Sequence, residues 1–338
     1  MTKPRFTAAA AVIACTLGLT ATGCTYGLQG TPETGKTMIF ALDQAEDHPS
    51  YIALEAFSDR LEDATDGRWD IRVYPNAALG NQQETVQLVS EGSVDMVVAS
   101  GTLLENLNRD FRTLALPLLY EDIDHQMAVL SDEEILGDLF TSLEEPNNLT
   151  VLGGFTQGER HVYTKNGPFT EPDDLNGQKI RVQESDLMID MLSAMGSNPT
   201  PLSYAEVYTA IQSGVLDGAE NNLISYMTTG HNVVAPHVAL TAHQVGTDYV
   251  VINSEVFTGM TEEDRQTFLQ EWQATVDHHT QMWVELTEEA ADDAEAQGST
   301  FTEVDQQAFT DGLAEMLEDE LADPEVRELF DRIQNYEG

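Results

Sequence analysis

The chain has 338 residues, 59 of them acidic and 15 basic, and its formal net charge of −44 sets it against nucleic acid and anionic membrane surfaces. Such a length can bury a large core and divide into two domains. Of the two cysteines one lies in an apolar leader, so the rest of the chain has no internal disulfide and must stand on its core.

Lys3 and Arg5 precede an apolar run over 6–19, and the small residues Ala21, Thr22 and Gly23 lead to Cys24. The run is too short to span a bilayer, so 1–23 reads as a secretory signal peptide. The Cys24 position is similar to a lipoprotein cleavage site. It predicts acylation there and an extracytoplasmic protein that touches the membrane only through its lipid anchor. Residues 24–36, polar and glycine-rich, read as a tether. The acids are spread along the chain, densest at 288–295 and 315–320, as on a solvated, salt-adapted surface.

Residues 38–44 read as an apolar strand. Helical spacing over 49–65 puts Ile52, Ala56, Phe57, Leu61 and Ala64 on one face, and Asp66-Gly67 closes it. Trp69, Ile71 and Val73 alternate as a second strand ended by Pro75-Asn76. A short helix over 85–91 leads to a strand at 94–98. Later strands are expected at 149–153, 179–183 and 248–253, the first stopped by Gly153-Gly154, with helices at 186–195 and 204–212. One acidic helix over 261–297 carries Phe268, Leu269, Trp272, Val276, Met282, Trp283 and Leu286 as its apolar stripe. At about 50 Å it is longer than one small domain needs, so it is expected to cross two. Strands alternating with helices predict the α/β class with parallel sheets. No internal repeat is visible.

GTPETGKT at 30–37 fits the P-loop formula, but a tether precedes it and a strand follows. Phosphate binding there requires a strand before and a helix after. His278 and His279 face different sides of their helix. His231, His237 and His243 fall in what reads as an irregular region around Pro236. No HExxH or paired-cysteine spacing occurs, so neither metal nor cofactor is expected. No G-x-S-x-G elbow is present, and paired carboxylates carry no signal where acids are everywhere.

What remains is a set of polar residues: Gly158-Glu159-Arg160, Arg181 between Ile180 and Val182, Tyr204 before a helix, and GVLDGAEN at 214–221. Arginines usually pair with local acids, and an Asp-Gly turn is usually only a turn. A cation in an alternating strand is nonetheless costly to bury without an anion. Near Arg181 the only acid in the run is Glu184, so a ligand is the candidate for the missing anion.

YPNAALG at 74–80, LPLLY at 116–120, PDDLNGQKIRV at 172–182, NPTPLSYAEVYTAIQSGVLDGAEN at 198–221 and LTAH at 240–243 resemble, in order and spacing, the solute-binding proteins of TRAP transporters. The resemblance runs from about Met38 into the acidic helix; the acidic surface and the anchor are its departures. It implies a two-lobed, periplasmic-binding-protein-like α/β fold with a hinge and a long helix bridging both lobes. The lobes would be 37–157 with 247–286, and 158–246 with 287–338. A receptor is implied, not an enzyme, that hands a small organic acid to small and large membrane subunits for ion-gradient-driven uptake.

The same resemblance implies that Arg181 holds the ligand carboxylate, since a guanidinium fork matches it bidentately. Arg160 and Asn221 would assist and Tyr204 would pack on the ligand, while Asp43, Gln82, Ser100 and Glu184 would line the pocket. Asp43 and Glu184 beside two arginines favour a carboxylate that also carries hydroxyls or an amine. A sugar acid such as a uronate is therefore expected ahead of a C4-dicarboxylate. An exported hydrolase and a ligand sensor are the remaining readings.

Overall fold

The structure, a computed structural model, describes residues 36–336. The expected signal peptide, Cys24 and the tether up to residue 35 lie outside them. Lys36, assigned to the tether, opens the first strand.

The described strands are β1 (Lys36–Ala41), β2 (Trp69–Tyr74), β3 (Met96–Ser100), β4 (Leu149–Thr164), β5 (Lys179–Val182), β6 (Asn198–Pro201), β7 (Gly218–Asn221), β8 (His237–Asn253) and β9 (Thr300–Thr302). They form one sheet in the order β2-β1-β3-β8-β4-β7-β5-β6, with β9 on β8. At one end β2, β1 and β3 are parallel, connected through the helices Pro49–Ala64 and Gln82–Ser90. At the other, β7, β5 and β6 are parallel, connected through Asp186–Ala194 and Val207–Ser213. Each parallel block with its helices is one lobe. β4 and β8 run through both as an antiparallel ribbon, so the sheet is mixed where the alternation of elements predicts a parallel one.

β4 does not end at Gly153-Gly154. Its register against β8 shifts at Val151/Gly153, Thr156/Glu159 and Arg160/Val162, and pairing resumes each time. Gly153 and Gly158, at φ +137° and +55°, absorb the irregularities as bulges instead of stopping the strand. β8 likewise begins early, which makes His237 and His243 strand residues and not loop.

The helix Pro49–Ala64 starts with proline in its first turn, and the His48 ring accepts the Ser50 amide as its cap. It buries Ala53, Leu54, Phe57 and Leu61 against Met38, Phe40, Ile71 and Val73. The stripe is rotated from the expected one, and Ile52 is exposed. Glu262–Ala296 is one helix of 35 residues, capped by Thr261. Its first half packs Phe268, Trp272 and Val276 into the core of the first lobe; Ala290, Ala291 and Ala294 join Val207, Ile211 and Tyr226 in that of the second. Leu269, expected inside, lies outside. Between the halves the Trp272 indole donates to the Leu152 carbonyl at 2.8 Å, and Trp283 lies against Gly158, so the helix rests on β4 where that strand passes between lobes.

Candidate functional site

The eight pocket residues expected from the sequence line one cleft between the lobes. Asp43 follows β1, Gln82 opens a helix and Ser100 ends β3. From the other lobe come Arg160 of β4, Arg181 of β5, Glu184 just beyond it, Tyr204 in a short 3-10 turn and Asn221 at the end of β7. The space between the lining atoms, counted out to the mouth, is about 590 Å³.

Strand alternation explains Arg181. Ile180 and Val182 are fully buried on one face of β5, which leaves the guanidinium on the other, 4% exposed. Its Nε donates to the Leu202 carbonyl at 2.8 Å, so the cation is not wholly without a protein partner. Its two terminal nitrogens make no hydrogen bond or ion pair among the described residues. Burial lowers its pKa from the ordinary value against the opposing pull of Glu220.

Arg160 is different. Its Nε and Nη2 donate to the two carboxylate oxygens of Glu220 at 2.7 and 2.9 Å, and Nη1 to the Gln157 side chain at 2.6 Å. His243 stands 3.5 Å from the same carboxylate, with its other ring nitrogen 2.9 Å from the Thr241 hydroxyl. Burial works against the charge of Glu220, but Arg160 and His243 outweigh it and hold the carboxyl down at about 2. Arg160 therefore enters the cleft wall as a cation already paired.

The opposite wall is acidic. Burial, and then the neighbouring Asp248, raise Asp43 to about 7 against Arg181 and the Gln82 amide. Asp248 accepts from Gln44 at 2.9 Å through one oxygen; the other has no partner among the described residues. Burial raises it to about 6 despite Gln157, Arg160 and Gln44. Glu184, on the Arg181 side, sits exposed at the rim.

The neutral residues are fixed by their neighbours. Gln82 accepts the Ser100 amide at 2.9 Å, Ser100 and Thr102 hydroxyls meet at 3.0 Å, and Thr102 donates to Gln183 at 2.8 Å. Asn221 Oδ1 accepts from the Asn222 amide at 2.9 Å, which leaves its Nδ2 without a partner among the described residues. Burial pushes the Tyr204 phenol up to about 12, so it stays neutral. Its ring meets His231 edge-on at 6.3 Å, and His231 contacts the Tyr163 hydroxyl at 2.8 Å. Burial, with Arg181 behind it, lowers His231 to about 3, so no charge is added there.

Glu220, Asp248, Gln44 and Gln157 escape the sequence reading. Glu220 had a signal: it adjoins Asn221 in a strand, where neighbours point to opposite faces. Asp248 had none, being one acid among many in a strand whose path through both lobes the sequence does not show. Chemically the cleft offers one free cationic fork and an amide donor on one side, and carboxylate and hydroxyl acceptors on the other. Among the described residues no group of three or more His, Cys, Asp or Glu could hold a metal ion.

Residues 40–323 match the family model of bacterial extracellular solute-binding protein, family 7. A solute-binding protein of Roseobacter denitrificans is 31% identical over 294 residues, 86% of this chain and 90% of that one. The 2,3-diketo-L-gulonate-binding periplasmic protein of Escherichia coli is 28% identical over 84% of this chain and 86% of its own. Among solved structures, a TRAP periplasmic solute binding protein of Anaerococcus prevotii with bound α/β-D-glucuronate gives a TM-score of 0.85 at 33% identity, covering 89% of this chain and 97% of that chain. One from a Bradyrhizobium species, in complex with α/β-D-galacturonate, gives 0.85 at 30% identity, covering 89% and 100%.

Proposed function

The chain belongs to family 7 of the bacterial extracellular solute-binding proteins, the receptors of TRAP transporters, and on that footing we propose that its solute is a monocarboxylic sugar acid, a hexuronate such as D-glucuronate or D-galacturonate. The observation that carries this reading is the unpaired fork of Arg181 facing a cleft whose other wall is Asp43. The fork takes the ligand carboxylate bidentately, and Asn221 Nδ2 adds a donor. Tyr204 packs on the sugar ring, and Asp43, Gln82 and Ser100 take its hydroxyls. Arg160, already neutralised by Glu220, contributes little more than shape. At 4 Å and an effective dielectric near 20 an opposite charge contributes roughly 4 kcal/mol, while distant surface acids are screened by salt.

The lobes are 37–157 with 247–286, and 158–246 with 287–323; the last helix, Pro324–Gln334, expected in the second lobe, lies on the first, where Gln334 donates to the Leu118 carbonyl and Tyr336 to Asp132, both at 2.9 Å. The hinge is the register shift between Thr156 and Glu159, which lies opposite Val245 to Thr247. The closed form presents the solute, chemically unchanged, to the small and large membrane subunits. Cys24 carries the lipid that keeps the protein at the membrane; mass spectrometry of the mature N-terminus checks this, and an unmodified N-terminus elsewhere ends it. No helix among the described residues is long and apolar enough to cross a membrane.

Thermal-shift screening tests the solute. At a thousandfold excess over Kd a ligand adds about 4 kcal/mol of stability, a rise on the order of 10 °C. Hexuronates should give it and neutral hexoses should not. A neutral hexose that stabilises equally, or C4-dicarboxylates acting alone, would reject the reading, and loss of the uronate during incubation would point to turnover.

A further inference from the structure

Charge bookkeeping in the cleft goes further than the choice of a sugar acid. A solute with carboxylates at both ends needs two cations. Arg181 supplies one, but Arg160, the other cation lining the cleft, has its charge matched by Glu220 and four of its N–H groups spent on Glu220 and Gln157. On the wall that faces Arg181 across the cleft, a second carboxylate meets Asp43, with the half-unpartnered Asp248 behind it. A hydroxyl on that wall would instead donate to Asp43.

Resting on the sugar-acid reading, we propose that Asp43, backed by Asp248, is a charge-count filter: it accepts hydroxyl donors and rejects any solute carrying a second carboxylate, so that monocarboxylic sugar acids enter and the aldaric acids made from the same sugars do not. The groups that set its charge come from several elements. Asp248 of β8 faces it as a like charge, Arg181 of β5 as an opposite one, with the Gln82 amide and the neutral Tyr204 beside them. Gln44 and Arg160 hold Asp248 in turn. Burial and Asp248 place the Asp43 carboxyl at about 7, so the filter is charged well above that pH and neutral well below it. Sugar carboxylates, with the low pKa of ordinary carboxyl groups, stay ionised throughout.

Calorimetry on the full protein with D-gluconate and D-glucarate decides it, because this open-chain pair differs only in a CH2OH or a carboxylate at one end. At pH 8.5 the parent should prefer gluconate by about 30-fold, because Asp43, at about 7, can take up a proton to admit the diacid, and at that pH the proton costs roughly 1.5 decades of affinity. At pH 5.5 the preference should shrink at least tenfold. Asp43→Asn should show the reduced preference at both pH values. The pH comparison uses no substitution, so it stands even if the variant fails to fold. A parent preference below about tenfold at pH 8.5, or one that neither Asp43→Asn nor acid reduces, overturns the filter. Absence of binding of both acids to the parent also overturns it, since the monoacid is what the filter admits. D-Glucuronate measured alongside separates the two claims: if it fails while gluconate is preferred over glucarate, the uronate reading falls and the filter remains.

Discussion

Arg160 and Arg181 are the same residue type in strands of one lobe, and what distinguishes them is whether an acid reaches them. Arg181 keeps two donors for a ligand. Arg181→Lys retains the charge but cannot make two parallel bonds to one carboxylate, and should lose about 30-fold in affinity, near the lower end of what truncating a desolvated charge pair costs. Arg181→Ala should lose more, yet melt within a few degrees of the parent, because only the Leu202 carbonyl loses a donor, worth about 1 kcal/mol. Equal affinity for Arg181→Lys in calorimetry would make Arg181 structural. Arg160→Ala should behave oppositely, destabilising by about 3–5 kcal/mol because Glu220 is left buried and unpaired. The folded state holds Glu220 at about 2, below its ordinary 4.5, so this contribution is full above about pH 5 and lost as pH falls toward 2. The melting gap between parent and Arg160→Ala should therefore narrow on acidification; a gap independent of pH would remove the ion pair from the explanation. That both arginines line one cleft was legible through the family resemblance. Their division of labour was not, because with 59 acids in the chain no pattern marks Glu220 as the one that folds onto Arg160.

At the scale of elements, the helices expected at 49–65 and 186–195 lie within a residue or two of where periodicity puts them, the first with its stripe rotated, and the long helix holds almost to its ends. Those expected at 85–91 and 204–212 begin three residues away, at Gln82 and Val207. The lengths of strands β4 and β8 were not legible. Gly153-Gly154 reads as a stop because a turn and a bulge both need the left-handed conformations glycine supplies, and a single sequence does not separate them. Gly158 serves the bulge nearest the lobe crossing, and a Cβ there would stand 2.6 Å from Trp283 Nε1. Gly67 has a similar positive φ with nothing within 4 Å. Gly67→Ala should thus cost only the backbone strain, about 1 kcal/mol, while Gly158→Ala adds displacement of Trp283 and should cost about 2–3 kcal/mol. Urea midpoints of the two variants compare them directly. If they match, the long helix does not bear on the bulge.

For the whole molecule, what matters is that the cleft walls belong to different lobes while polar contacts also tie its mouth. Thr102 meets Gln183 at 2.8 Å, Asn106 meets the Glu184 carbonyl at 3.2 Å, and Arg112 meets Asp190 at 2.9 Å. A ligand that touches both walls favours the closed arrangement by as much as it binds that arrangement better than the open one. X-ray scattering should accordingly show a smaller radius of gyration with saturating ligand, and an unchanged radius would count against hinge closure. Asp190 gives a sharper test, since it does not line the cleft and its carboxylate is half-exposed. Arg112 is buried and also held by Glu320, so Asp190 is one arm of a network, and such an arm contributes about 0.2–1 kcal/mol. Asp190→Ala should then lower the closed population and weaken apparent affinity up to about fivefold, without altering the preference between gluconate and glucarate. The change should reside in a faster dissociation rate, because the entry path is untouched and the closed complex is what loses support. Stopped-flow binding resolves the two rates. A slower association with unchanged dissociation would mean that the Arg112–Asp190 contact guides the solute in and does not hold the lobes together.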